Sequence, residues 1–155
     1  MQDLSITQEY LICAVNERGR LPGFHPERLV CFVAAGLLEL QLEGCVAIEG
    51  KTVRALRLLP KRRQYLQPLY DLIAQKQPVK LDTLIETYCI SFTDQRAREL
   101  LVAVGGSLAA LGLAEEAAGG LLGGQRRYLP TREAVQSVAE LPRAELLEAG
   151  EMTED

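Results

Sequence analysis

The sequence is poor in the residue types that most often carry catalysis. Among 155 residues it has no tryptophan and a single histidine, His25. His25 stands next to Pro26 at a predicted helix start, where a surface or capping role is more usual than a catalytic one. The sequence has no glycine-rich phosphate loop, acidic metal cluster or nucleophile elbow. These absences argue against an enzyme, and we expect neither a metal nor a cofactor.

Cysteine and long apolar runs are also limited. None of the four cysteines is paired at the spacing of a metal site, and no signal peptide is visible. Three of them lie in apolar runs, so we expect reduced, buried thiols in a cytoplasmic protein. No run of eighteen or more uncharged apolar residues exists, so we expect no segment to span a membrane. Binding to a membrane surface stays open.

Charge is distributed unevenly along the chain. The net charge of −4 argues mildly against a dedicated nucleic-acid binder. Lys51–Arg63 holds six basic residues and no acid, whereas Glu140–Asp155 holds six acids and one arginine. The second stretch, residues 140–155, is predicted to be a flexible acidic tail.

The stretch Pro26–Leu56 predicts a helix that runs directly into a hairpin. Its apolar residues leave almost no polar face before Glu39, which is typical of a buried helix, and Gly44 supplies a left-handed stop. Two β-type runs, Cys45–Ile48 and Thr52–Leu56, follow around a turn at Glu49 and Gly50. The same pattern returns 68 residues later at Ser107–Ala114, followed by a returning strand at Gln125–Leu129.

Further helices are indicated by apolar spacing and capping residues. We expect them at Ile6–Asn16, capped by Ser5 and Gln8, at Tyr65–Gln77, at Leu81–Ile90, from Thr93 or Asp94 to Leu111, and at Arg132–Ala139. Pro60–Arg63 is read as a basic loop. The fold class is therefore mainly α, a compact helical domain with two small β-hairpins. We expect one domain over residues 1–139, with winged-helix-like halves at about 5–63 and 65–131.

The second hairpin has a candidate membrane-binding tip, GGLLGG. Leu121 and Leu122 stand between glycines, and Arg126 and Arg127 follow on the returning strand. Apolar side chains beside cations favour a bilayer interface. It is equally open that the two leucines fold back on the body of the protein or contact another subunit.

Two further groups of cations are candidates for binding an anion. Lys61, Arg62 and Arg63 form a basic run, which is either a solvated surface or an anion-binding patch. Arg96 and Arg98 lie in the first turns of a predicted helix, where guanidinium groups and the helix dipole both favour phosphate. Ordinary surface charge, such as Arg98 pairing with Asp94, is the alternative for this pair.

Three segments together resemble the Golgi phosphoprotein 3 family in order and spacing. They are LSITQEYLICAVNERGRL, GLLELQLEGCVAIEGKTVRAL and RARELLVAVGGSLAALGLAEE, within about Leu4 to Leu129. The resemblance implies a mostly helical, non-enzymatic protein, peripheral on a membrane, that binds phosphatidylinositol 4-phosphate or another anionic lipid. Eukaryotic members are adaptors that retain glycosyltransferases in the Golgi.

The resemblance also implies where the lipid would bind. Phe24 falls at the family's aromatic position, Arg98 near one pocket arginine, with Arg96 as a substitute for its partner, and the second hairpin is the membrane-inserting element. Val33 stands where the family has a further arginine, and the loop that commonly reads PTGD is Pro60-Lys61-Arg62-Arg63 here. We expect a short, divergent member without the family's C-terminal helices, which favours an oligomer or a protein partner.

A different class of protein fits the same pattern. A helix followed by a hairpin, twice, is also typical of tandem winged-helix modules, which bind DNA or act as protein scaffolds. The acidic total and the leucine-filled candidate recognition helix argue against DNA, because a helix that reads a groove needs polar side chains facing it. Binding of anionic lipid is thus the leading hypothesis, with a winged-helix scaffold as its alternative.

Overall fold

The fold is mainly helical with two small antiparallel sheets, as predicted. The computed structural model describes residues 3–21, 26–90, 95–119 and 124–140. The helices are α1 (Ile6–Ala14), α2 (Pro26–Leu42), a 3-10 helix (Lys61–Leu66), α3 (Gln67–Lys76), α4 (Leu81–Cys89), α5 (Gln95–Ala110) and α6 (132–140). The strands are β1 (Val46–Glu49), β2 (Thr52–Ala55), β3 (Val79–Lys80), β4 (Ala114–Gly119) and β5 (Gly124–Pro130).

Helix α1 begins with the predicted capping box. The Ser5 hydroxyl accepts from the Gln8 backbone N–H at 3.3 Å, and the Gln8 side chain accepts from the Ser5 N–H at 3.1 Å. Two otherwise unpaired backbone donors are thereby satisfied. The helix ends at Ala14, two residues before the predicted end, because Val15 has an extended backbone.

Helices α2 and α5 end in the same way. In α2, Gly44 takes a φ of 70° and the Cys45 N–H donates to the Leu40 carbonyl at 2.9 Å. In α5, Gly112 takes a φ of 73° and the Leu113 N–H donates to the Leu108 carbonyl at 2.9 Å. Both are Schellman motifs, which need a residue free to adopt positive φ. Leu40 before Gly44 and Leu108 before Gly112 stand four residues apart in each case, so the repeat in the sequence corresponds to a repeated helix stop.

The prediction that α2 is buried nearly all round is wrong for one face. Phe32, Val33 and Leu40 are fully buried, but Leu38 and Leu42 are exposed. The expectation of buried thiols fails there too, because Cys31 is exposed on α2, as is Cys13 on α1. A helix at the surface of a small domain packs on one side only, so apolar residues on its outer side stay in contact with water.

The first sheet contains one strand more than predicted. β1 pairs antiparallel with β2 from Val46↔Ala55 to Glu49↔Thr52, so the turn consists of Gly50 and Lys51 rather than of Glu49 and Gly50. β3 adds to the other edge of β2. The predicted basic loop is also wrong in part, since its residues 61–63 begin the 3-10 helix.

The second hairpin packs closely on α5. Tyr128 of β5 is buried, and its ring lies so close to Gly105 that a Cβ there would come within 2.4 Å of Tyr128 Cδ2. The pair Gly105 and Gly106 thus marks a close contact with the hairpin, and α5 continues through it. The hairpin tip with Leu121 and Leu122, and residues 141–155 of the predicted acidic tail, lie outside the described residues.

Candidate functional site

Arg96 and Arg98 lie in the first turn of α5 and are both exposed. Within the described residues, neither guanidinium forms an ion pair. Arg96 is close enough to the Tyr88 hydroxyl on α4 to influence it: burial raises the pKa of Tyr88 above its usual range, and the charge of Arg96 opposes that rise. The predicted partner of Arg98, Asp94, lies outside the described residues, as does Phe24. Both guanidinium groups are thus exposed and unpaired within the described residues, and the pairing of Arg98 with Asp94 stays a prediction.

The basic run has intramolecular partners that its sequence did not indicate. Arg62 contacts the Glu43 carboxylate at 2.6 Å and Arg63 contacts it at 2.8 Å. The hydrogen bond from Arg62, helped by that from Arg63, holds the pKa of Glu43 below its usual range. Lys61 is exposed. Much of the positive charge of this run is thus balanced locally, and its role as an anion-binding surface stays a prediction.

A buried carboxylate, Glu39, joins three elements and was missed as a site. Its oxygens accept from the Thr7 backbone N–H at 3.1 Å, from the Thr7 hydroxyl at 2.6 Å and from the Tyr65 hydroxyl. Arg63 Nε lies 3.2 Å away. Burial, and then the hydrogen bond to Glu39, raise the pKa of Tyr65 to about 12, so Tyr65 stays a neutral donor. The signal in the sequence is an acid between two leucines in a mostly apolar helix.

The two arginines of the second hairpin differ in their burial and in their partners. Arg126 forms an exposed pair with Glu116 on β4 at 3.2 Å. Arg127 is half-buried, and its Nε is buried without a hydrogen-bond partner in the described part of the chain. Arg127 thus has an unused buried donor within the described residues.

The class of protein these features define is a mainly helical domain with exposed arginines and no evident catalytic group in its described part. In the described ranges, no set of three or more His, Cys, Asp or Glu side chains is placed to hold a metal ion. The described helices also include none with the length and apolar character needed to cross a bilayer.

The chain belongs to the Golgi phosphoprotein 3 (GPP34) family, whose model matches residues 6–154. The match confirms the resemblance and extends it beyond Leu129. No curated protein matches the chain significantly. The family as a whole is one of non-enzymatic lipid-binding and adaptor proteins, known for phosphoinositide binding and for peripheral association with the Golgi. Neither the match nor a described contact favours the winged-helix alternative, which stays a prediction.

Proposed function

We propose that this protein is a non-enzymatic peripheral membrane protein that binds the head group of an anionic lipid, such as phosphatidylinositol 4-phosphate. The observation that carries the proposal is the family match over residues 6–154. It is supported by a pair of exposed arginines, Arg96 and Arg98, that form no ion pair within the described residues. A lipid adaptor needs no catalytic group, which agrees with the composition of the chain.

The arginine pair supplies the chemistry for a phosphate. Each guanidinium can donate two parallel hydrogen bonds to phosphate oxygens. The pair lies in the first turn of a helix of 16 residues, whose N-terminal dipole adds positive potential. Val33, which stands where the resemblance implies a further arginine, is buried in the core. We therefore expect selection of anionic lipids mainly by charge, with modest preference among head groups.

The hairpin would supply the apolar part of the interaction. In this proposal Leu121 and Leu122 enter the interface, Arg126 and Arg127 lie at the level of the phosphates, and Phe24 contacts the lipid beside the arginine pair. Lys61, Arg62 and Arg63 are flanking contacts at most, since Glu43 already pairs with two of them. A protein partner or an oligomer is compatible with this arrangement and stays a prediction.

Replacing the arginine pair should weaken binding to vesicles without affecting the fold. Because each cation near an anionic surface contributes about 1 kcal/mol, Arg96→Ala/Arg98→Ala should raise the dissociation constant for vesicles containing phosphatidylinositol 4-phosphate by at least about tenfold. Co-sedimentation with vesicles measures this change in the dissociation constant.

The matched control for this prediction is Arg18→Ala/Arg20→Ala. It removes the same charge from two exposed arginines in the turn after α1. We expect the control to change binding less than the test pair does. Equal weakening by both variants would show that net charge alone matters, and unchanged binding by the first variant would remove the arginine pair from the site.

A further inference from the structure

A cluster of exposed leucines surrounds the end of α2. Leu38 is 46%, Leu42 70%, Leu56 53% and Leu58 81% exposed. Leu38 and Leu42 are one helical turn apart and so share one face of α2. Leu56 and Leu58 follow β2 and are two positions apart. Contiguous exposed apolar patches on soluble proteins often mark binding sites, so the spatial relation of these four leucines matters.

Backbone and side-chain contacts join the segment after β2 to the turn after α2. The Leu56 N–H donates to the Cys45 carbonyl at 2.8 Å, and the Cys45 thiol lies 3.8 Å from the Leu58 carbonyl. Arg57, between the two leucines, donates to the Glu43 carbonyl. The segment 56–58 therefore lies against the turn that directly follows Leu42.

Cations lie close to segment 56–58 of the leucine cluster. Arg57, Lys61 and Arg62 are exposed, and Arg63 is half-buried. The Gln77 side chain accepts from the Ala55 N–H at 2.9 Å, which brings the end of α3 with its exposed Lys76 to the same region. Among the described residues, the carboxylates recorded in contact with these cations are those of Glu39 and Glu43. Positive charge is in excess around the leucines.

We propose that the leucine cluster is a second membrane-contacting surface, which inserts Leu42, Leu56 and Leu58 into the interface of an anionic bilayer. The proposal rests on the proposed lipid-binding function and adds a surface distinct from the second hairpin and from the start of α5. Charge complementarity favours a bilayer: apolar side chains enter the interface while flanking cations remain with the anionic head groups.

The first test removes two leucines that the core does not need. Leu56→Ser/Leu58→Ser should raise the dissociation constant for phosphatidylserine-containing vesicles by about tenfold, because two exposed apolar side chains no longer leave water. The matched control, Leu111→Ser/Val135→Ser, removes two exposed apolar side chains elsewhere and should change binding much less. The thermal midpoint of each variant reports whether it is folded.

The second test uses the absence of tryptophan from the sequence. Leu58→Trp introduces a single probe at the most exposed leucine of the cluster, and Val135→Trp is its control. With phosphatidylserine vesicles, the Leu58→Trp emission should shift to the blue and be quenched by brominated acyl chains, while that of Val135→Trp should change little.

The outcomes separate this inference from the proposed function. If the intact chain co-sediments with anionic vesicles but Leu58→Trp reports no insertion, the second surface is overturned and lipid binding stands. If the intact chain does not co-sediment, both proposals fail. If Leu56→Ser/Leu58→Ser leaves vesicle binding unchanged but alters the oligomeric state in size-exclusion chromatography, the cluster binds another copy of the chain, and the bilayer proposal is overturned.

Discussion

Replacing Glu39 by alanine is expected to destabilise the protein by about 2–4 kcal/mol, because buried hydrogen-bond donors lose their shared acceptor. The substitution removes the acceptor of four donors: the backbone and hydroxyl of Thr7, the hydroxyl of Tyr65 and the guanidinium of Arg63. The two Thr7 donors would be left buried without this acceptor, and unpaired buried donors are costly. Tyr65 would keep Ser5 as a partner, and Arg63 would keep Glu43. The start of α1 would also lose the negative charge at its positive end.

Denaturant unfolding measures this effect on Glu39. The matched control is Glu49→Ala, which removes a carboxylate whose partner, Arg54, is exposed. Exposed pairs contribute little, so we expect the control to change the free energy of unfolding by no more than about 1 kcal/mol. A similar, small change for Glu39→Ala and Glu49→Ala would mean that the buried network does not hold α1, α2 and the 3-10 helix together.

Alanine substitutions at the two adjacent glycines of α5 are expected to have opposite effects. A Cβ at Gly105 would lie within 3 Å of three atoms of Tyr128, including its Cβ, so the buried hairpin would have to move. We expect Gly105→Ala to destabilise by about 1–3 kcal/mol, the usual cost of overpacking. At Gly106 the nearest atom is Tyr128 Oη at 3.5 Å, an ordinary contact. Gly106→Ala should therefore stabilise the helix by up to about 1 kcal/mol.

Thermal unfolding of the two variants tests the packing of the second hairpin on α5. Each variant serves as the control for the other, because both replace a helical glycine with alanine and differ only in what the new methyl group meets. Stabilisation by both substitutions would contradict the close approach of Tyr128 to Gly105. Destabilisation by both would mean that the hairpin also contacts α5 closely at Gly106.

Local features of the fold could be predicted from the sequence because neighbouring residues determine them. The capping box at Ser5 and the helix stop at Gly44 depend on residues only a few positions apart. The two-residue strand β3 was missed because it is defined by pairing with β2, more than twenty residues earlier. Its own two residues carry too little pattern to indicate a strand.

The candidate surfaces, like the elements of the fold, could be predicted only where they depend on neighbouring residues. Arg96 and Arg98 stood out in the sequence because their position in a helix start is a local property. The pairing of Arg63 with Glu43 was not predictable, since it joins residues that are twenty positions apart in sequence. The leucine cluster is not evident from the sequence because an apolar helix pattern predicts burial all round, whereas the packing of α2 leaves Leu38 and Leu42 exposed.

Co-sedimentation of the intact chain with vesicles is the most direct test of anionic-lipid binding. Vesicles of phosphatidylcholine alone are compared with vesicles that also contain phosphatidylinositol 4-phosphate or phosphatidylserine, and Leu121→Ser/Leu122→Ser is measured beside the intact chain. We predict binding only to the anionic vesicles, weakened by salt because exposed charges are screened, and weakened by the hairpin variant. Absence of binding by the intact chain at low ionic strength would contradict the proposed function.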